Sequence, residues 1–462
     1  MTTDEIKFKG QALSATHRIS DYHLGAGARL ANGTPNLLED FKGDEDYAKM
    51  LRKFVARFGP ETKLTLEWGG DMVDFNAIPY HGNCGSVPTV EAALAKLEAC
   101  FQGHSAFWAA TRLFLADERH ALVITIGNHD LEFSWPEVQG RIRAELGIGP
   151  VDERLRFVTT VFEGDVCKLH GDLFDPPNAN PTPEDLFIFD KAKGQPRKLL
   201  NIPYSDILNA SFIMSLKRQQ PWIGRMENHG AIWVAGLTRE WRFGLKAIAL
   251  WIAFTLYHRF FIRFRSIRRE TSFRAAIGFA LNTIHEDRPE PKIREFARSH
   301  PQIRIVESGH THAAKVADIE VDGRTVAWFN TGTGIEQVRL TRPEFQRFVT
   351  PWPEFESFFR RIGLYWRRRP IQALGLLALH LAVALAPFAA NLIFGWHLDE
   401  IAWIIVALAL FSWLARQSFA FYAAESYTEH NVLETVQTAA GRIGPRLLRF
   451  DSGTGAYKPF AG

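Results

Sequence analysis

Five short polar motifs, most of them placed directly after an apolar run, constrain the fold of this chain more than any other feature. They are Asp21-Tyr22-His23, Gly70-Asp71-Met72-Val73-Asp74, Gly127-Asn128-His129-Asp130, His170-Gly171-Asp172 and Gly309-His310-Thr311-His312. The apolar runs at 64–68, 121–126 and 166–169 are short and end at a glycine or a polar turn, the pattern of buried strands. Strand-like pattern resumes at 303–307, 315–321 and 325–329, while 91–100 and 105–116 carry helical spacing. Strands alternating with helices predict an α/β domain. Four of the motifs then fall at carboxyl ends of strands, where α/β sheets gather ligands and catalytic groups. Asp21 follows a weaker run and is placed there by analogy.

At 462 residues the chain exceeds one average domain, so one large domain with insertions or two units are the natural expectations. The α/β pattern covers residues 1–175 and resumes over 301–345. Between them, 176–300 reads as an insertion, opening with the loop DPPNANPTPEDL and expected to form a helical cap. Asp322-Gly323 reads as a hairpin turn between two strands. Residues 346–425 read as a basic linker and an apolar helical hairpin, and 426–462 as a polar C-terminal tail.

The motifs share a chemistry. Carboxylate, amide oxygen and imidazole together suit manganese, iron or zinc, and the lack of thiolates argues against a structural zinc site. A carboxylate such as Asp71 can bridge two ions about 3.5–4 Å apart, and the pair would acidify a bridging water to hydroxide and hold phosphate oxygens for in-line attack. A DxH or GD pair alone occurs by chance in many chains. The paired side chains of GNHD and GHTH are more specific, and the whole ordered set more so. His17, His81, His104 and His120 are read as ordinary packed or surface histidines.

The ordered set resembles the calcineurin-like metallophosphoesterase superfamily, over about residues 13–340 less the interruption. The resemblance implies a four-layer α-β-β-α sandwich. It also implies that Asp21, His23 and His312 bind a first metal, that Asp71 bridges, and that Asn128, His170 and His310 complete a second. By the same resemblance His129 contacts the phosphate and protonates the leaving group, Asp130 orients His129, and Asn330-Thr331-Gly332-Thr333-Gly334 closes the domain. Two features depart from a minimal member: the long gap between His170 and His310, and the extension past the core.

Composition is globular, with 46% hydrophobic and 23% charged residues, which excludes global disorder. A net charge of +3 is too small to argue for nucleic acid. Cys84, Cys100 and Cys167 form no CxxC motif and fit a reducing compartment. The N-terminus has no apolar run after a basic start, so no secretory signal is expected. The 13 Trp and 36 Phe suit core packing or lipid contact. Residues 371–394 are apolar over a length that spans a bilayer, and 401–415 are apolar but short. Arg360, Arg361, Arg367, Arg368 and Arg369 precede the pair, and Asp399 and Glu400 lie at its tip, which places both ends on the cytoplasmic side of an inner membrane. A re-entrant hairpin or two buried helices of a soluble protein fit the same pattern. Residues 247–257 and the basic aromatic stretch after them, with Arg259, Arg263, Arg265, Arg268 and Arg269, fit an interfacial helix or a core helix with a solvated basic end.

The expectation is therefore a membrane-associated enzyme with two divalent ions, manganese first, cleaving a phosphoester or pyrophosphate on a lipid headgroup or lipid-linked phosphate. Bacterial members that hydrolyse UDP-diacylglucosamine follow this logic. A phosphoprotein or nucleotide phosphatase docked at the membrane and a non-catalytic membrane scaffold are the rival readings.

Overall fold

A computed structural model describes residues 11–30, 32–175, 178–182, 184–190, 197–203, 206, 209–225, 289–340 and 424–460. The expected α/β alternation is present. Strand β1 (Ala12–Ile19) is followed by α1 (Asp44–Arg57), β2 (Lys63–Trp68), α2 (Val90–Gly103), α3 (Ser105–Leu115), β3 (Ala121–Thr125), α4 (Pro136–Leu146) and β4 (Leu155–Val158). The local reasons are ordinary ones. Helix α1 carries Asp44, Glu45 and Asp46 in its first turn and Arg57 in its last, matching its macrodipole, and buries Tyr47, Met50, Leu51 and Phe54 along one stripe. The Thr89 hydroxyl caps α2 by accepting the Ala92 N–H. Helix α4 starts at Pro136 and stops at Gly147 in the left-handed conformation.

Strands β1, β2, β3 and β4 pair in parallel, so their carboxyl ends share one edge. A second sheet holds β5 (Thr160–Glu163), β6 (Val166–Leu169), β9 (Ile305–Ser308), β10 (Lys315–Val321) and β11 (Arg324–Asn330), in the order β10-β11-β9-β6-β5. In it β6, β9 and β11 run parallel. Asp322 and Gly323 take φ of 47° and 80°, the two positive values that a tight hairpin turn between β10 and β11 requires.

Only part of the insertion, expected to form a helical cap, lies among the described residues. Its first described elements are the antiparallel pair β7 (Phe187–Asp190) and β8 (Arg197–Leu200), followed by short helical turns at Asn209–Ile213, Met214–Lys217 and Pro221–Arg225. Helix α5 (Glu290–Ser299), at its end, belongs to the second sheet rather than to a cap, because Ile293 and Ala297 pack with Cys167, Leu169, Val306 and Trp328. The basic aromatic stretch of the insertion lies outside the described residues.

The C-terminal segment also corrects its sequence reading. Instead of a tail, it supplies β13 (Ala424–Thr428), β14 (His430–Thr438), β15 (Gly441–Asp451) and β16 (Ala456–Pro459). The last three extend the first sheet, in the order β16-β15-β14-β1-β2-β3-β4, with β14 antiparallel to β1. The segment looks polar because the partners of β14 are themselves polar: buried Glu434 pairs with His17, Arg57 and Arg446. Strand β13 pairs with β12 (Glu336–Leu340). The apolar segments 371–394 and 401–415 lie outside the described residues, and among those described no helix is long and apolar enough to cross a membrane.

The larger apolar core joins the first sheet to α1, α2, α3 and α4, and a smaller one joins the second sheet to α5. Where the sheets meet, the contact is charged. Arg18 of β1 donates to the Leu169 carbonyl at 2.7 Å, and Lys168 of β6 reaches Glu67 of β2 at 2.6 Å. All three side chains are buried, so removing one partner would strand a charge.

Candidate metal centre

Because β1, β2 and β3 run parallel in the first sheet and β6 and β9 run parallel in the second, the former deliver Asp21, Asp71 and Asn128 to one edge and the latter deliver His170 and His310 beside it. Backbone hydrogen bonds knit the loops: Asp21 N–H to Gly70 O at 3.0 Å, His23 N–H to Asp71 O at 3.0 Å, and Gly309 N–H to His170 O at 2.7 Å. Five of the expected ligands, Asp21, His23, Asp71, His310 and His312, have φ between 49° and 74°. Left-handed backbone at non-glycine residues costs about 1–3 kcal/mol each and persists where surrounding structure enforces it, characteristically at functional sites. Two glycines make room. A Cβ on Gly127 would collide with the Asp71 carboxylate, and one on Gly309 with Asp21 and Ser20.

The side chains converge. Asp21, His23 and His312 form one group, His23, Asp71 and His129 a second, and Asp71, His170 and His310 a third, with ligand atoms in each group within 4.8 Å of one another. Asp71 belongs to two groups, and its Oδ2 lies 3.9 Å from His23 Nε2 and 3.2 Å from His170 Nε2. His23 and His312 bring their Nε2 atoms to 2.9 Å. Imidazole nitrogens at that distance need a proton or a cation to reconcile their lone pairs.

Two orphaned atoms show that the donor set fits a cation. Asn128 Oδ1 and His170 Nε2 are buried without a hydrogen-bond partner. His170 donates Nδ1–H to the Gly69 carbonyl at 3.0 Å, so Nε2, which faces Asp71, is the nitrogen a metal could take once its proton is displaced. Burial works against charge here, yet His170, His129 and His23 hold the Asp71 carboxyl well below its usual range. Burial also disfavours charge on His170, but Asp71 outweighs it and pushes the imidazole up to about 10. Burial raises Asp21 to about 6. A cluster that stores protons this way releases them when cations take their place.

Every expected ligand lies in this region. His129 and His312, at 18% and 19% side-chain exposure, are the more open members, while Asp21 and His170 are sealed, so the cluster opens to solvent on the side of those two histidines. One assignment changes. Asp130 does not hold His129; it accepts the N–H groups of Gly127 at 2.6 Å and Met72 at 2.8 Å, clamping two ligand loops together. Asp74 holds His129, its Oδ1 accepting Nδ1–H at 3.0 Å. The sequence signal for Asp74 was its place three residues after Asp71. Asp175, which meets His310 Nε2 at 3.3 Å, had no such signal. Beneath the site, Asn330 donates to the Gly309 carbonyl at 2.6 Å and Thr333 donates to the Asp21 carbonyl, as expected of the closing turn.

No protein-family model matches the chain, and no curated protein matches it.

Proposed function

We propose that this chain is a dinuclear metal-dependent phosphoesterase of the calcineurin-like metallophosphoesterase superfamily, on a four-layer α-β-β-α sandwich. The layering is supported by the buried charge contacts between the two sheets and by the apolar packing of helices onto each. The observation that carries the function is the convergence of side chains from five loops into three overlapping groups, two of which share Asp71.

Asp21, His23, His312 and Asp71 would hold one cation. Asp71, Asn128, His170 and His310 would hold the other. Divalent cations there, manganese or else iron or zinc, supply Lewis acidity toward water and phosphoryl oxygens. The rest of the chemistry belongs to the chain. Asp74 fixes the His129 tautomer by taking Nδ1–H, which leaves Nε2 to meet the phosphate and pass a proton to the leaving oxygen. Burial lowers the His129 pKa, but Asp74 and Asp71 outweigh it and raise it to about 10.

The substrate we propose is a phosphoester or pyrophosphate on a lipid headgroup, with the catalytic domain on the cytoplasmic side of the membrane. The support is the apolar pair 371–394 and 401–415 together with the pairing of β12 and β13. The chain leaves at Leu340 and returns at Ala424 on adjacent strands, the arrangement a two-pass or re-entrant hairpin needs. Turnover of lipid phosphoesters in mixed micelles, compared with phosphopeptides and cyclic nucleotides, tests this. Preference for the lipid supports it; faster turnover of soluble substrates, indifferent to micelles, refutes it.

A further inference from the structure

Resting on that reading of the metal centre, we propose that Asp175 is a positioning residue for the second cation, so that the first loop of the insertion sets that cation's affinity. The argument starts from which ring nitrogen each histidine commits. His170 spends Nδ1–H on the Gly69 carbonyl and keeps Nε2 for a cation. His310 does the reverse: its Nε2 faces Asp175 Oδ2 at 3.3 Å, and a carboxylate can only accept, so Nε2 carries the proton and Nδ1 is left with the lone pair. A carboxylate behind a ligating histidine fixes its tautomer and ring orientation and increases its basicity.

Asp175 is itself held. Its N–H bonds the Asp172 carbonyl at 2.9 Å, and Asn178 Nδ2 donates to the same Oδ2 that meets His310, at 2.5 Å. Asp172 accepts the Asn180 N–H at 2.8 Å, and Asn180 Nδ2 donates to the Gly127 carbonyl at 2.9 Å, on the peptide leading into Asn128. One stretch of loop thus reaches His310 directly and Asn128 through its backbone, two of the four residues assigned to the second cation. Asp175 and Pro289, near the two ends of the insertion, also border one small cleft with Phe174, His310 and Trp328. The cation pair is thereby coupled to the part of the chain that departs furthest from a minimal core.

The test titrates metal-stripped full-length protein with Mn²⁺, by calorimetry and by electron paramagnetic resonance of the coupled pair. Wild type should bind two ions. Asp175→Ala should keep the first affinity and weaken the second about 10–100-fold, the usual effect of losing such a partner. Asp175→Asn, whose amide oxygen still accepts from His310, should recover most of the loss, a rescue that a merely structural role would not produce. Asn180→Ala should weaken the second ion alone, through Asn128. Unchanged binding in Asp175→Ala, or equal weakening of both ions, overturns the proposal. Fewer than two ions in wild type sinks the dinuclear reading itself, and this inference with it, whatever the variants do.

Discussion

At the scale of single residues, the site divides into groups that could hold cations and groups that hold those groups. Asp71→Ala removes the carboxylate shared by two clusters, and should abolish turnover and lower metal content as read by elemental analysis. His129→Ala should lower kcat by roughly 10²–10⁴-fold, the usual worth of a general acid, with both metals retained; loss of metal would make it a ligand instead. Asp74 and Asp130 separate in the same way. Asp74→Asn should act on kcat through His129, whereas Asp130→Asn should act on stability, because its two backbone partners join loops rather than touch the reacting face. The residues that cluster were legible because paired metal-type side chains after apolar runs are rare by chance. The His129 partner was misread because adjacency in sequence suggested Asp130, while the loop geometry turns Asp130 inward and brings Asp74 across from β2. Asp175 was illegible, since nothing near His170 announces contact with a ring more than a hundred residues away.

At the scale of elements, the runs at 64–68, 121–126 and 166–169 became β2, β3 and β6, and the Asp322-Gly323 turn formed as expected, because strand burial and turn stereochemistry are local properties. Strand β14 was missed because its buried charges look solvent-facing until their partners on β1, α1 and β15 are known. Glu434 is fully buried against His17, Arg57 and Arg446, and those partners outweigh the burial that would raise its pKa. Glu434→Ala should therefore destabilise the fold by about 3–5 kcal/mol, measured by urea unfolding, since it takes the buried carboxylate away from the buried Arg57 guanidinium; a loss below about 1 kcal/mol would make the cluster no more than a solvated ion pair. A pH dependence follows at the junction of α2 and α3. Burial opposes charge on His104, but hydrogen bonds to Asp44 and Glu39 prevail and raise it from 6.5 to about 9. A raised folded pKa stabilises fully below pH 6.5, and the contribution fades as pH rises through 9. Wild type should lose on the order of 2 kcal/mol across that window relative to His104→Gln, whose stability should stay flat.

At the scale of the whole molecule, the first sheet is completed only after a long excursion of the chain. Because β14 lies against β1 and carries Glu434 to His17, the first sheet does not close until the C-terminal strands are made. The excursion leaves and returns on paired strands, so the proposed membrane attachment and the completion of the first sheet would be tied in one topology. Deleting 371–415 behind a short linker should leave metal binding intact while releasing the protein from vesicles in a flotation assay; continued flotation would move the membrane contact to the insertion or dismiss the hairpin.

The most direct test is hydrolysis of a generic aryl phosphate diester by the metal-stripped full-length protein, with Mn²⁺, Fe²⁺ or Zn²⁺ added back and Asp71→Ala run alongside. The account predicts turnover that returns with metal in the wild type and stays at background in the variant. Turnover indifferent to metal, equal in both proteins, or absent with every ion would contradict it.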